Sequence, residues 1–461
     1  MQPATVETPR PTTVTKRWPT VRGHWLGGVM RQVQREPMTL YRRAWQSHGD
    51  YVRLRAFPGA WFYVISSPAA IEHVLVGNAK NYRKPDMFYK SVGLLTGRGT
   101  LTSEGESWRA QRKLIQPVFA RHQVSKFGSH ITRAIETLID EWLCEPDVRE
   151  LDVLPEMMRL ALRVAGTALF STDVSGEADS IGRAYRTAFD YVSRKMNNRQ
   201  FTPLWMPTRR NREFRRSKAL LDRVVLDLIA ERRRGAARGD LLDRLLAAQD
   251  EQSGAGLSDE QLKDEVITLL TAGHETTGAA LAWAWYLLAQ NQEVQCDLAD
   301  EARGVLQGRP PAVDDLPKLP LATAVFEEAM RLYPPAWGLP RQSVEADAID
   351  GYPIESKAIL VVGIFLIHRH PDYWQNPDAF DPRRFLAPAA QQRPKYTYLP
   401  FGGGSRVCLG NHFAMLEGPL ALAALAQRFR FTLVEGHAIV PDPTFALRPK
   451  YGVKVTVSKR P

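Results

Sequence analysis

A chain of 461 residues with 44% hydrophobic content has ample material for a globular core, which excludes a disordered or fibrous class. Its 61 Lys+Arg against 50 Asp+Glu leave a net charge of +11, but the excess is spread along the sequence in runs such as 209–218 and 232–238. Such runs read first as solvated helix faces and second as a surface for an electron donor or an anionic membrane, ahead of nucleic acid. The three cysteines form no CxxC pair, which excludes a disulfide framework and fits a reducing cytosol.

In chain order, residues 1–22 carry four prolines among threonines and are expected to be a flexible tail, without a stretch apolar enough for a signal or membrane span. Residues 51–65 have the β-branched and aromatic content of strands. Helical patterns follow at 68–76, 104–119, 123–143, 154–170, 178–197 and 212–233, and a strand-like run closes the chain at 451–457. Nothing marks an internal repeat or linker, so residues 23–461 are expected to be one mainly α domain with a minor β region. Only about fifty residues follow the glycine-rich loop described below, too few for a flavin or iron–sulfur module, so any electrons must come from another protein. The apolar run 201–207 reads as a loop over a channel or as a membrane contact.

Within the 104–119 helix, Trp108 and Arg112 stand at i and i+4, where an indole and a guanidinium can donate to one carboxylate. Ser258-x-x-Gln261 is a capping box that opens a helix of more than thirty residues. Its middle reads Ala272-Gly-His-Glu-Thr-Thr-Gly278, polar and glycine-bearing where a buried helix should be neither. Gly273 removes bulk where a diatomic ligand could fit, Thr276 can hydrogen-bond dioxygen and Glu275 can relay protons. A kink with threonines bonded back to carbonyls is the competing reading. A zinc-protease motif is excluded, because position 278 is glycine where the second histidine must stand.

Glu328 and Arg331 lie at i and i+3 before a Pro-Pro stop. Finally, Phe401-Gly-Gly-Gly-Ser-Arg-Val-Cys-Leu-Gly410 runs into an apolar helical stretch. The following helix turns its positive end toward Cys408, and Arg406 adds charge, both favouring a thiolate. Neither a P-loop nor a dinucleotide fingerprint fits these glycines.

With these motifs in this order, the chain resembles the cytochrome P450 family of haem-thiolate monooxygenases, in its soluble bacterial form, over nearly its whole length after the tail. The resemblance implies the P450 fold, with haem b enclosed between the long helix and the cysteine loop. It makes Cys408 the axial iron ligand, flanked by Phe401 and Gly410. It assigns Trp108, Arg112, Arg341 and Arg406 to the haem propionates and Ala272 to the oxygen motif with Glu275 and Thr276 as proton handlers. It buries Glu328, Arg331 and Arg384 as a structural triad, although Arg383 stands where the family often has glutamate. The substrate pocket falls by resemblance on Met87, Phe88, Leu269, Gly273, Trp337, Leu339 and Phe445, together with the 196–207 region.

The expected activity is insertion of one oxygen atom from O2 into a hydrophobic small molecule such as a terpenoid, fatty acid or carotenoid, by hydroxylation or epoxidation. Expected partners are ferredoxin with its reductase, or flavodoxin, for a cytoplasmic monomer of secondary metabolism. A peroxide-dependent hydroxylase and a non-catalytic haem sensor remain open as alternatives at this point.

Overall fold

A computed structural model describes residues 16–171, 180–196, 202–235, 237–250 and 254–460. The fold is mainly α with a minor β part, as expected, but the chain groups into two compact units rather than an undivided body. The smaller comprises residues up to Pro85, Gly338–Ile367 and Lys395–Val407; the larger comprises Asp86–Trp337, His368–Pro394 and Cys408–Pro461. Both are discontinuous in sequence, so no linker composition betrays them.

The smaller unit is built on a six-stranded sheet in the order Thr20–Val21, Tyr51–Phe57, Ala60–Ile65, Ile359–Val362, Leu339–Ser343, Tyr82–Arg83. Val52, Leu54 and Ala56 alternate inward along Tyr51–Phe57, the period of a half-buried strand. The sheet corrects the expected tail boundary at residue 22, while residues 1–15 lie outside the described residues. Trp18 is buried edge-on against Tyr63 at 4.8 Å and donates to the Pro353 carbonyl at 2.7 Å, and Thr20–Val21 pairs with Arg53 and Leu54.

Helices dominate the larger unit, with a three-stranded sheet of Phe429–Leu433, Lys454–Lys459 and Val148–Asp152. Expected and observed helices agree within a few residues, for example Val153–Phe170, Ser180–Met196 and Arg209–Arg234. The 104–119 pattern is Gly105–Ile115 followed by a 3₁₀ turn over Gln116–Phe119, where Pro117 breaks the α register.

The long helix Asp259–Gln290 spans 32 residues, roughly 48 Å at the α-helical rise. Ser258 and Gln261 form both bonds of the expected capping box. Its C-terminal half is anchored by aromatics: Trp283 stacks on Tyr333 at 3.8 Å and donates to the Leu447 carbonyl, while Trp285 stacks on Phe431 at 4.0 Å. Gly278 is a packing residue that sequence reasoning left without a role. A Cβ there would lie 2.7 Å from Met158 Sδ and 3.2 Å from the Met157 carbonyl, so glycine lets the Val153–Phe170 helix cross closely.

Candidate active site

After Gln261 the long helix is mostly buried, and apart from Asp264, Tyr286 and Gln290 the exceptions lie along one stripe. Leu269, Ala272, Gly273 and Thr276, spaced i, i+3, i+4 and i+7, are partly exposed amid buried neighbours. At Gly273 an added Cβ would meet only the Ala165 Cβ, at 3.9 Å, so this glycine leaves room, unlike Gly278.

Cys408 lies three residues before the helix Asn411–Arg428. The residue is exposed, yet lost hydration pushes the thiol pKa up, against the lowering effect of the Gly410 N–H and the Arg112 guanidinium. Burial thus works against the helix end and Arg112 at this sulfur, and a bound metal cation would favour the thiolate. Leu269 of the stripe, Leu409, Phe413 and Phe445 all pack against one apolar cluster, which ties the cysteine's surroundings to the open helix face. The roles of Leu409 and Phe413 were not read from sequence.

The glycines before the cysteine serve the backbone they sit in. Gly402 and Gly404 have φ of 72° and 67°, and a Cβ on Gly404 would fall 2.0 Å from the Leu75 carbonyl. Their freedom is demanded by the protein's own backbone in the smaller unit. Phe401 and Arg406 are half-buried in that unit, as is Leu339, and Arg341 is buried there with Nη1 donating to the Pro340 carbonyl at 2.9 Å.

On Gly105–Ile115, Trp108 is buried and Arg112 half-buried, with Arg112 Nε donating to Gln116 Oε1 at 3.1 Å. Burial lowers the Arg112 pKa and the Cys408 sulfur opposes that shift, so the two residues share one electrostatic environment. Arg109 and Lys113, the exposed cations of this helix, are already paired, Arg109 with Glu106 and Lys113 with Asp250 at 2.6 Å.

Glu275 is buried, and desolvation pushes its pKa up to about 7 against the field of Arg448. His274 beside it is held neutral, its pKa pushed down to about 3 by burial and then by Arg186. Thr276 donates to the Ala272 carbonyl at 2.7 Å, as Thr268 and Thr271 donate to residues 264 and 267. The competing back-bonded reading is therefore the geometry seen at Thr276.

Glu328 and Arg331 are fully buried and joined by two hydrogen bonds of 2.6 and 2.8 Å. Arg331 also donates to the carbonyls of His368, Pro377 and Ala379. The structure brings in Arg384, whose Nε lies 3.4 Å from Glu328 and whose guanidinium donates to the Gln375 and Asn376 carbonyls. Arg383, in the position that often holds glutamate, is exposed.

Of the expected pocket residues in the larger unit, Phe445 meets Phe189 edge-on at 5.5 Å, Phe88 and Trp337 are half-buried, and Met87 is exposed. Phe189 is an aromatic neighbour that sequence reasoning did not select. Phe201 lies outside the described residues.

Among the described residues no group of three or more His, Cys, Asp or Glu converges. The Cys408 sulfur near the Arg112 guanidinium, with Leu409 at the same apolar cluster as Leu269 of the stripe, fits a haem macrocycle, which brings its other metal ligands with it.

The family profile described as "Cytochrome P450" matches residues 19–457. The chain belongs to the cytochrome P450 family. This P450 is similar to cyclooctatin synthase of Streptomyces melanosporofaciens, 36% identical over 92% of this chain and 91% of the relative. It is 32% identical to pentalenene oxygenase of Streptomyces avermitilis, covering 87% and 88% of the two chains. A crystal structure of a cytochrome P450 haem domain superposes with a TM-score of 0.88 at 24% identity over 96% of this P450 and 98% of that chain, which shows the shared fold. The enzyme class is that of the P450 monooxygenases, which implies haem, O2, a redox partner and a hydrophobic substrate. Among the described residues no helix is long and apolar enough to cross a membrane.

Proposed function

We propose that this P450 hydroxylates a terpenoid-type hydrocarbon skeleton, with haem b ligated by Cys408 and electrons delivered by ferredoxin and its reductase or by flavodoxin, in the cytoplasm. The observation that carries the reading is the open stripe Leu269, Ala272, Gly273, Thr276 on a helix otherwise buried, at the same apolar cluster as Leu409 beside the cysteine. The relatives named for cyclooctatin, cyclooctat-9-en-7-ol and pentalenene chemistry support the substrate class.

When bound, the haem supplies the centre at which dioxygen is reduced and one of its atoms passes to substrate carbon. By resemblance, Trp108 and Arg112, and in the smaller unit Arg341 and Arg406, would be its propionate donors, through charge-assisted hydrogen bonds. Phe401 and Gly410 flank the sulfur ligand. Ala272 and Gly273 keep side-chain bulk away from the reacting atoms. Glu275, with a pKa of about 7, holds and releases a proton near neutrality, which suits a proton donor. Thr276 must turn its hydroxyl from the Ala272 carbonyl to donate elsewhere, a rotation that exchanges one hydrogen bond for another. Phe445, Leu269 and Gly273, with Met87, Phe88, Trp337 and Leu339, bound an apolar substrate space that orients a molecule by shape.

The test has two arms. The reduced carbon monoxide complex of the haem-loaded protein should show the strongly red-shifted Soret band of a thiolate ligand, and Cys408→Ala should lose it. Titration with terpenoid hydrocarbons should displace iron-bound water and shift the spin state, whereas fatty acids should not. A fatty-acid response without a terpenoid one would overturn the substrate class while leaving the ligand assignment standing.

A further inference from the structure

In the smaller unit, the sequence Lys16 to Arg35 contains five Lys/Arg and no carboxylate. Its middle is a tight turn in which His24 and Gly28 exchange both backbone hydrogen bonds, His24 N to Gly28 O at 2.9 Å and Gly28 N to His24 O at 2.8 Å. The His24 ring stays at home as well, accepting from the Leu26 and Gly27 amides through Nδ1. The turn is fastened to the sheet by Arg55, whose guanidinium donates to the carbonyls of Arg22 and His24 at 3.1 and 2.7 Å. Gly28 lies so close over Arg55 and Ala56 that a Cβ there would sit 1.9 Å from the Arg55 carbonyl. This is a rigid loop with a committed shape.

What the rigid loop presents is apolar. Trp25 is 71% exposed and Leu26 54% exposed, and Phe57, at the strand end beside Ala56, is 50% exposed. A mobile loop could fold such side chains away, whereas a pinned one keeps an indole and an isobutyl group in water at constant cost. Around them Lys16, Arg17, Arg22, Arg31 and Arg35 are exposed and form no ion pair among the described residues. Apolar side chains at the tip of a cationic, carboxylate-free segment match the chemistry of an anionic lipid surface: the guanidiniums meet headgroup phosphates, and Trp prefers the boundary between headgroup and acyl chain.

We propose that the His24–Gly28 turn is an interfacial docking point, at which Trp25 and Leu26 insert into the headgroup region of an anionic membrane while Arg22, Arg31 and Arg35 hold the lipid phosphates. The attachment is peripheral and reversible, weakening as salt screens the charges. It is independent of what the enzyme oxidises.

The test is co-sedimentation of the haem-loaded full chain with vesicles of phosphatidylcholine alone and of phosphatidylcholine mixed with phosphatidylglycerol. The expected result is binding to the anionic vesicles only, weakened at raised ionic strength, with Trp25→Ser/Leu26→Ser lowering the affinity at least about tenfold. Arg22→Gln/Arg31→Gln/Arg35→Gln should lower it comparably, and the carbon monoxide spectrum should be unchanged in both variants. Trp205→Ser removes another indole, 77% exposed in the larger unit, and should leave binding as it is. The proposal is overturned if the wild type binds neither vesicle, if the double variant binds as tightly as the wild type, or if Trp205→Ser abolishes binding. It is also overturned if Trp25 and Leu26 prove instead to hold two copies together, seen as a self-association in sedimentation velocity that the double variant abolishes while vesicle binding is absent.

Discussion

Two buried glutamates of the larger unit have opposite surroundings. Glu328 is clasped by Arg331 through two hydrogen bonds, accepts the Asp381 amide at 2.9 Å and has Arg384 close by. Glu275 has no such clasp: its neighbour His274 is neutral with Nδ1 3.6 Å away, Arg448 acts through its field, and the carboxyl keeps a proton up to about pH 7. A buried charge that is saturated with partners fixes geometry, and one left short of them stays able to gain and lose a proton.

The largest expected effect is on the saturated side. Arg331→Ala leaves Glu328 buried without its guanidinium and frees three carbonyls, so unfolding should become easier by about 3–5 kcal/mol, enough to cost haem retention. Urea denaturation and the haem-to-protein absorbance ratio measure both. A matched pair of glycine substitutions on the long helix comes next in size. Gly278→Ala drives a methyl into Met158 and should destabilise by about 1–3 kcal/mol, whereas Gly273→Ala should leave stability nearly unchanged and alter substrate affinity.

Glu275→Gln probes the unsaturated side through pH. The folded pKa of about 7 lies above the ordinary 4.5, so the native state keeps a proton that the unfolded chain loses. Wild-type stability from this group is therefore undiminished below pH 4.5, falls as pH rises toward 7 and is flat above, a loss on the order of 3 kcal/mol. The variant should match the wild type in acid and exceed it above neutrality, while its turnover falls roughly 10²-fold. His274 adds the opposite slope, its contribution present above pH 6.5 and lost as pH falls toward 3, so the difference between the two proteins is the quantity to plot. The smallest change in stability belongs to Thr276→Ala, which removes one back-bonded hydroxyl and should shift unfolding by less than about 1 kcal/mol. Its effect should instead be in product formed per O2 consumed, and unchanged coupling would remove Thr276 from proton handling.

Much of this was legible in the sequence, because it is written in local patterns. The Ser258–Gln261 capping box, the i, i+3 spacing of Glu328 and Arg331, and the apolar periodicity of the long helix each depend on neighbours within a few residues, and each is found where expected. Trp18 was less legible: a proline-rich opening reads as a tail, and only the distant Tyr63 and Pro353 reveal that its indole is buried. The glycines mislead for the same reason, since Gly273 and Gly278 look alike in one helix yet one faces space and the other Met158.

By itself, then, the sequence determined the family, the cysteine and the order of the helices, because residue spacing carries those directly. The tertiary structure alone decided which face of the long helix stays open, that burial pushes the Cys408 thiol pKa up, and that burial does the same to the Glu275 carboxyl. Those properties depend on desolvation and on partners far away in the chain, and neither is a function of local sequence.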